Sequence, residues 1–202
     1  MRAADRTPAD RTLVLGSSSP RRRELLARAG VPFEVSAAGI DERAQPGEAP
    51  EALALRLACE KALAVARRLA PHAPRLVLGA DTIVVLEGDV LGKPTDARDA
   101  ERLLGRLVGR AHRVLTGVAV VASDRLAPAS CVVESRVVMR PASHDEIRRY
   151  VASGEPLDKA GAYAAQGEGR RFIERIDGSE SNVIGLPLEE TLALLRDAGL
   201  HV

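Results

Sequence analysis

The chain has 202 residues, 46% of them hydrophobic, and a formal net charge of +1. That is enough for one sizeable domain, or one fold with two lobes, around its own core. The near-neutral balance gives no global basic field for duplex nucleic acid, and Phe33, Tyr150, Tyr163 and Phe172 are too few aromatics to stack single strands.

Met1 to Arg11 is polar and charged and reads as a loose tail over residues 1–10, ahead of a single domain over 11–202. No signal peptide or transmembrane run is recognisable. Cys59 and Cys131 sit far apart in apolar runs, so two buried free thiols in a reduced, cytoplasmic protein are expected. Leu13-Val14-Leu15 reads as a short buried strand. Gly16 and three serines follow as a turn, with Ser19 as N-cap and Pro20 opening a helix that runs over Arg21 to Gly30. Strand, small-residue loop and helix N-terminus form an anion-binding arrangement. Arg21, Arg22 and Arg23 in the first turn oppose the helix dipole unless something negative binds there. The alternative is an ordinary capped helix with solvated arginines.

Val31 to Ser36 reads as a strand leading to Asp41 and Glu42, which are solvated loop charges or, at Glu42, a metal or catalytic carboxylate. A long helix from about Glu51 to Leu69 pairs Arg56 with Glu60 at i,i+4, and Lys61 lies near the edge of its apolar face, as a surface pair with Glu60 or in a functional role. Leu76 to Leu86 is the most apolar run and reads as a buried strand interrupted by Asp81. A carboxylate there is costly unless paired, hydrogen-bonded or metal-bound; the bland option is a turn aspartate beside Gly79-Ala80. Gly88-Asp89 turns the chain back and places Lys93 roughly beside the strand of Asp81.

Asp96 caps a helix to about Val108, His112 to Ser123 and Ser130 to Arg140 are strands joined by a turn around Pro128, and Ser143 opens a capping-box helix ending at Gly154. Asp158 to Gly167 is rich in small residues and aperiodic, so it is mobile or shaped for close ligand approach. Phe172 to Ile176 reads as a strand, Asp177 to Asn182 as a polar turn and Leu188 to Ala198 as the last helix. His72, His112, His144 and His201 share no ligand spacing and read as structural or surface residues. Of 29 basic residues only Lys61, Lys93 and Lys159 are lysines, and each falls in a motif where a compact point charge has a use, chance survival being the alternative. Neither a P-loop nor a GxGxxG fingerprint is present.

Ser17-x-Ser19-Pro20-Arg21-Arg22-x-Glu24-Leu25-Leu26 resembles the opening motif of the Maf family of nucleoside triphosphate pyrophosphatases. Three further blocks match in the family's order: Gly79-Ala80-Asp81-Thr82 with Gly92-Lys93-Pro94; Asp158 to Tyr163 through Gln166-Gly167; and Gly178-Ser179 with Asn182 to Leu188. Glu180 departs from the pattern, which often has an aromatic there. The resemblance implies a mixed α/β, Maf/ITPase-like fold with a long twisted central sheet flanked by helices and a cleft between two lobes. It also implies a homodimer and a metal-dependent cleavage between the α and β phosphates.

In that family the aspartate matching Asp81 is the proton acceptor, and Arg21, Thr82 and Gln166 match the positions tied to base choice in the branch acting on dTTP and UTP. The remaining roles follow from charge, and for Ser17 from its place in the opening motif. Ser17, Arg22 and Lys61 would bind the triphosphate, Lys93 would neutralise developing charge, and Glu42 would join Asp81 as a second carboxylate for Mg²⁺ or Mn²⁺. Without an aromatic wall, base recognition would rest on hydrogen bonds from Gln166 and Thr82. The expected function is nucleotide-pool house-cleaning. A nucleotide-sensing regulator of cell division and septum formation, or a pyrophosphatase for modified nucleotides, are the alternatives. No nucleic-acid or membrane partner is expected.

Overall fold

The computed structural model describes residues 12–70 and 74–202, so the N-terminal tail and His72 lie outside the described residues. Seven strands form one mixed sheet: β1 (Leu13–Leu15), β2 (Phe33–Val35), β3 (Leu76–Leu86), β4 (Asp89–Leu91), β5 (Ala111–Ala122), β6 (Pro128–Met139) and β7 (Ile173–Asp177). Six helices flank it: α1 (Pro20–Arg28), α2 (Pro50–Leu69), α3 (Ala97–Leu107), α4 (His144–Ala152), α5 (Glu180–Ile184) and α6 (Leu188–Asp197). The order is β2-β1-β3-β5-β6-β7, with β4 on the same edge of β3 as β1. Among the described residues no helix is long and apolar enough to cross a membrane.

Strand β3 shows how the core is divided. Its residues alternate between faces. Leu76, Leu78 and Ala80 pack with Leu25 and Leu26 of α1 and Leu195 of α6, whereas Val84 and Leu86 pack with Leu103 and Leu104 of α3 and Ile147 of α4. Thr82 separates these two clusters. On the other face Val77 meets Ala58, Ala62 and Val65 of α2, and Ile83 and Val85 meet Leu53 and Leu57 of the same helix. Gly79 and Asp81 separate those.

The edge of β3 is interrupted at the same place. β1 covers Leu76 to Leu78 and β4 covers Val84 to Leu86, leaving residues 79–83 without a strand on that side. Consecutive residues that point to opposite faces therefore open onto one notch. Helix α2 is drawn close to the notch by two glycines. A Cβ at Gly79 would stand 2.3 Å from the Ala58 carbonyl oxygen, and one at Gly117 would stand 2.1 Å from that of Ala54. Only a bare backbone lets the helix lie this near the sheet.

Several local expectations change. Ser19 occupies the N-cap of α1 but makes no side-chain cap bond; its own N–H donates to Ser17 Oγ. Pro128 is the first residue of β6, paired with Val121, rather than part of the turn. The turn expected over Asp177 to Asn182 closes into α5, capped by the Ser179 hydroxyl, with Asn182 fully buried. Cys59 and Cys131 are free, as expected, but half-buried rather than buried. The aperiodic stretch after α4 is three short 3-10 turns, Glu155–Asp158, Ala160–Ala162 and Gly167–Phe172. Glu155 ties the first to the third and to α4 by accepting bonds from the Tyr150 hydroxyl and the Glu168 and Gly169 amides.

Candidate functional site

The notch in the sheet opens into a cavity of about 650 Å³. Its walls bring together residues from distant parts of the chain: Ser17, Arg21 and Arg22 from the first loop and helix, Glu42, Lys61 from α2, and Asp81 and Thr82 from β3. Lys93 and Lys159 complete the ring from the loops beyond β4 and α4. The Gly161 amide donates to the Gly92 carbonyl at 3.1 Å, so the loops bearing Lys159 and Lys93 are fastened together.

Lys61 is the pivot of the acidic wall. It lies three residues beyond Ala58, within the α2 segment that approaches the sheet at Gly79, and it turns inward rather than pairing with Glu60, which bonds Arg56. Its Nζ stands 2.6 Å from Asp81 Oδ1 and 2.6 Å from Glu42 Oε1. The two adjacent loop acids part company: Asp41 pairs with Arg43 at the surface, and Glu42 faces the cavity. Burial alone would raise the Glu42 carboxyl, but the Lys61 hydrogen bond and the charges of Lys61, Lys93 and Arg22 outweigh it and hold it below its ordinary value.

Arg22 is the pivot of the basic wall. It is buried, its Nε donates to the Gly185 carbonyl at 2.8 Å, and its two terminal nitrogens donate to Ser17 Oγ and Thr82 Oγ1, each at 3.1 Å. All three acceptors are neutral, and among the described residues no carboxylate forms an ion pair with it. Burial pulls the guanidinium below its ordinary value, against the opposing charges of Asp81 and Glu42. A buried cation with only neutral partners on a cavity wall calls for an anion. Arg21 lines the same wall, also lowered by burial against the charges of Asp158 and Glu155. Lys93 is exposed at the cavity mouth, and among the described residues no acid holds its ammonium.

The expectations for individual residues divide accordingly. Ser17, Arg21, Arg22, Glu42, Lys61, Asp81, Thr82 and Lys93 converge, but Gln166 does not line the cavity. The chain reaches the wall at Ala164 and Ala165 and turns away with Gln166 half-buried, because the following Gly167–Phe172 turn is pinned back onto Glu155. Thr82 is present, but its hydroxyl is engaged by Arg22 and Thr116. The expectation of no aromatic wall is also corrected: Tyr163 lines the cavity, its hydroxyl 2.8 Å from His112 Nε2. His112 is buried as a structural partner, while His144 and His201 are exposed.

Asp81 and Glu42 are hard oxygen donors gathered on one wall. Among the described residues no cluster of three or more metal-binding side chains forms. The donor set suits a cation of the Mg²⁺ kind, which keeps waters and takes one or two carboxylates plus substrate phosphate oxygens.

Comparisons with known proteins agree over nearly the whole chain. The family described as "Maf-like protein" matches residues 12–198. The chain is 54% identical to a dTTP/UTP pyrophosphatase of Myxococcus xanthus, covering 95% of both chains. It is 48% identical to one of Hahella chejuensis, covering 98% of both. A third, from Geobacter sulfurreducens, is 51% identical, over 93% of this chain and 96% of the relative. Among solved structures, a HAM1 protein from Coxiella burnetii aligns over 93% of this chain and 99% of its own, at 16% identity and a TM-score of 0.49.

Proposed function

The chain belongs to the Maf family, and we propose that it hydrolyses dTTP and UTP to the monophosphate and pyrophosphate. The observation that carries this is Arg22, a buried guanidinium held by neutral acceptors on the wall of a cavity that also holds Lys61, Lys93 and two carboxylates. A triphosphate needs charge neutralisation and alignment rather than covalent catalysis, and this cavity supplies both.

Arg22, with the uncapped first turn of α1 beside it, takes the phosphate chain. Lys93, at the mouth and without an ion-pair partner among the described residues, neutralises the departing pyrophosphate. Lys61 holds Asp81 by Oδ1, leaving Oδ2 to orient a water and accept its proton as the water attacks the α phosphorus. Asp81 and Glu42 would hold a divalent cation, which when bound lowers the charge on the phosphates and activates the water. The resemblance gives Arg21, Thr82 and Gln166 a role in base choice; Arg21 and Thr82 line the cavity, the Thr82 hydroxyl being held by Arg22 and Thr116, whereas Gln166 lies just past the wall at Ala165 and is assigned by the resemblance alone. The carboxamide of Gln166 matches the O4/N3–H edge of thymine and uracil.

Pyrophosphate release from dTTP, UTP, CTP, GTP and 7-methyl-GTP, with and without Mg²⁺, tests this. dTTP and UTP should exceed CTP by at least about tenfold in kcat/KM. Preference for 7-methyl-GTP would overturn the base assignment, and release of orthophosphate alone would overturn the reaction. The single domain over 11–202, the homodimer and the cytoplasmic location are part of the same proposal. One sheet carrying the whole site supports the first, and free thiols at Cys59 and Cys131 support the last. Light scattering on the purified protein tests the dimer.

A further inference from the structure

Behind the cavity wall runs a line of polar groups that begins at Thr82, on the wall itself, and continues through the buried Thr116 and Asn182. Thr82 and Thr116 face each other across β3 and β5, their hydroxyl oxygens 3.0 Å apart. Thr116, fully buried, donates to the Asn182 carbonyl at 3.1 Å. Its one proton is thereby committed, so toward Thr82 it offers a lone pair. Thr82 must then donate to Thr116, since its other acceptor, the Gly185 carbonyl, is 3.4 Å away. With its own proton turned away, Thr82 Oγ1 presents a lone pair to the Arg22 guanidinium, 3.1 Å off. The protons of both hydroxyls point away from the arginine, and the Thr82 lone pair faces it.

The far end of the run is fixed as firmly. The Asn182 carboxamide donates to the Val114 carbonyl at 3.1 Å and to Ser135 Oγ at 2.9 Å, and Ser135 donates to the Ser179 carbonyl at 3.0 Å. A flipped carboxamide would set its oxygen against the Val114 carbonyl, so its orientation is determined. This staple holds α5 on β5 and β6, and α5 in turn presents both the Asn182 carbonyl that takes the Thr116 proton and the Gly185 carbonyl that takes Arg22 Nε.

We propose that Thr116 is a positioning residue that aims Arg22 at the phosphate chain by setting the direction of the Thr82 hydroxyl, with Asn182 as the anchor of the run. The proposal deepens the pyrophosphatase assignment and rests on it for the identity of the anion. It makes Thr82 a support for the phosphate-binding arginine.

The test is a double-mutant cycle read by calorimetric binding of inorganic tripolyphosphate, alongside dTTP turnover. Thr116→Val removes the hydroxyl at nearly constant volume and should weaken tripolyphosphate binding about tenfold, with a matching fall in kcat/KM for dTTP. Thr116→Ser should stay within about threefold of wild type, because the hydroxyl is kept. In an Arg22→Gln background the valine substitution should have no further effect. Thr116→Cys, close in size with a poor hydrogen-bonding group, replaces the valine variant if that does not fold. Wild-type binding by Thr116→Val, an equal loss in both backgrounds, or no tripolyphosphate binding by the wild type would each overturn the positioning role. The predicted binding pattern in a protein that turns over no nucleotide would uphold it and sink the pyrophosphatase assignment.

Discussion

Replacing Lys61 with methionine keeps the aliphatic stem and removes the ammonium from between two carboxylates. Its Nζ lies 2.6 Å from an oxygen of each. The side chains of Lys61 and Asp81 are each 10% exposed, whereas that of Glu42 is 47% exposed. Removing one partner of a buried pair costs about 3–5 kcal/mol, because the other charge is stranded. Glu42, half in water, contributes little to that figure. The low end, about 3 kcal/mol, is therefore expected, or a fall in Tm of roughly 6–12 °C for a chain of this size.

Urea unfolding at pH 7, followed by circular dichroism, measures it. Adding Asp81→Asn should return most of the stability, since the stranded charge is gone, without returning activity. The pH dependence has a definite sign. The Glu42 carboxyl is held below its ordinary value of 4.5, so its stabilising contribution is present above that pH and lost as pH falls through the lower folded value. Because Glu42 is half in water, the gap between wild type and the methionine variant should narrow only slightly from this group below about pH 4.5. A methionine variant with the wild-type urea midpoint at pH 7 would refute the pairing and, with it, the placement of Asp81 by Lys61.

Asp81→Asn alone keeps the shape of the site and removes the proton acceptor, so kcat for pyrophosphate release should fall at least about 10²-fold; near-wild-type turnover in the purified variant would remove Asp81 from the base role. Lys93→Arg should lower kcat while leaving Tm unchanged, because the side chain is exposed and unpaired among the described residues and serves as a compact charge; identical kinetics would show that any cation suffices there. Burial pushes His112 down to about 4, so between about pH 6.5 and that value the unfolded chain binds a proton that the folded chain refuses, and stability falls by an amount on the order of 3 kcal/mol. His112→Gln should flatten the stability profile between pH 6.5 and 5, and an unchanged slope there would count against a neutral buried His112.

Much of this protein was written locally. The apolar run from Leu76 to Leu86 announced the central strand, Asp96 and Ser143 announced their caps, and the i,i+4 spacing announced the Arg56–Glu60 pair. These signals need only the chain's own periodicity and the chemistry of the next few residues. Asp81 stood out for the same reason, as a charge in an apolar strand. So did the helix start at Pro20 with its three arginines, and the motifs that resemble the Maf family.

Tertiary structure decided which partners those residues took. No local pattern says that Lys61 passes over its neighbour Glu60 for Asp81 and Glu42, because that depends on α2 lying against Gly79 and Gly117. Nor does the sequence show that Asp81 and Thr82, pointing to opposite faces, open onto one cavity. That follows from β1 and β4 stopping short of each other along the edge of β3. The resemblance puts Gln166 at the base, but its side chain lies off the cavity wall, because the loop that carries it is pinned to Glu155. Thr116 had no signal beyond being polar in an apolar strand, and Asn182, though part of a family block, gave no sign of its partner, yet they sit under the arginine at the centre of the site. Strand register, helix docking and hydrogen-bond direction are relations between segments far apart in the chain, and only folding brings those segments into contact.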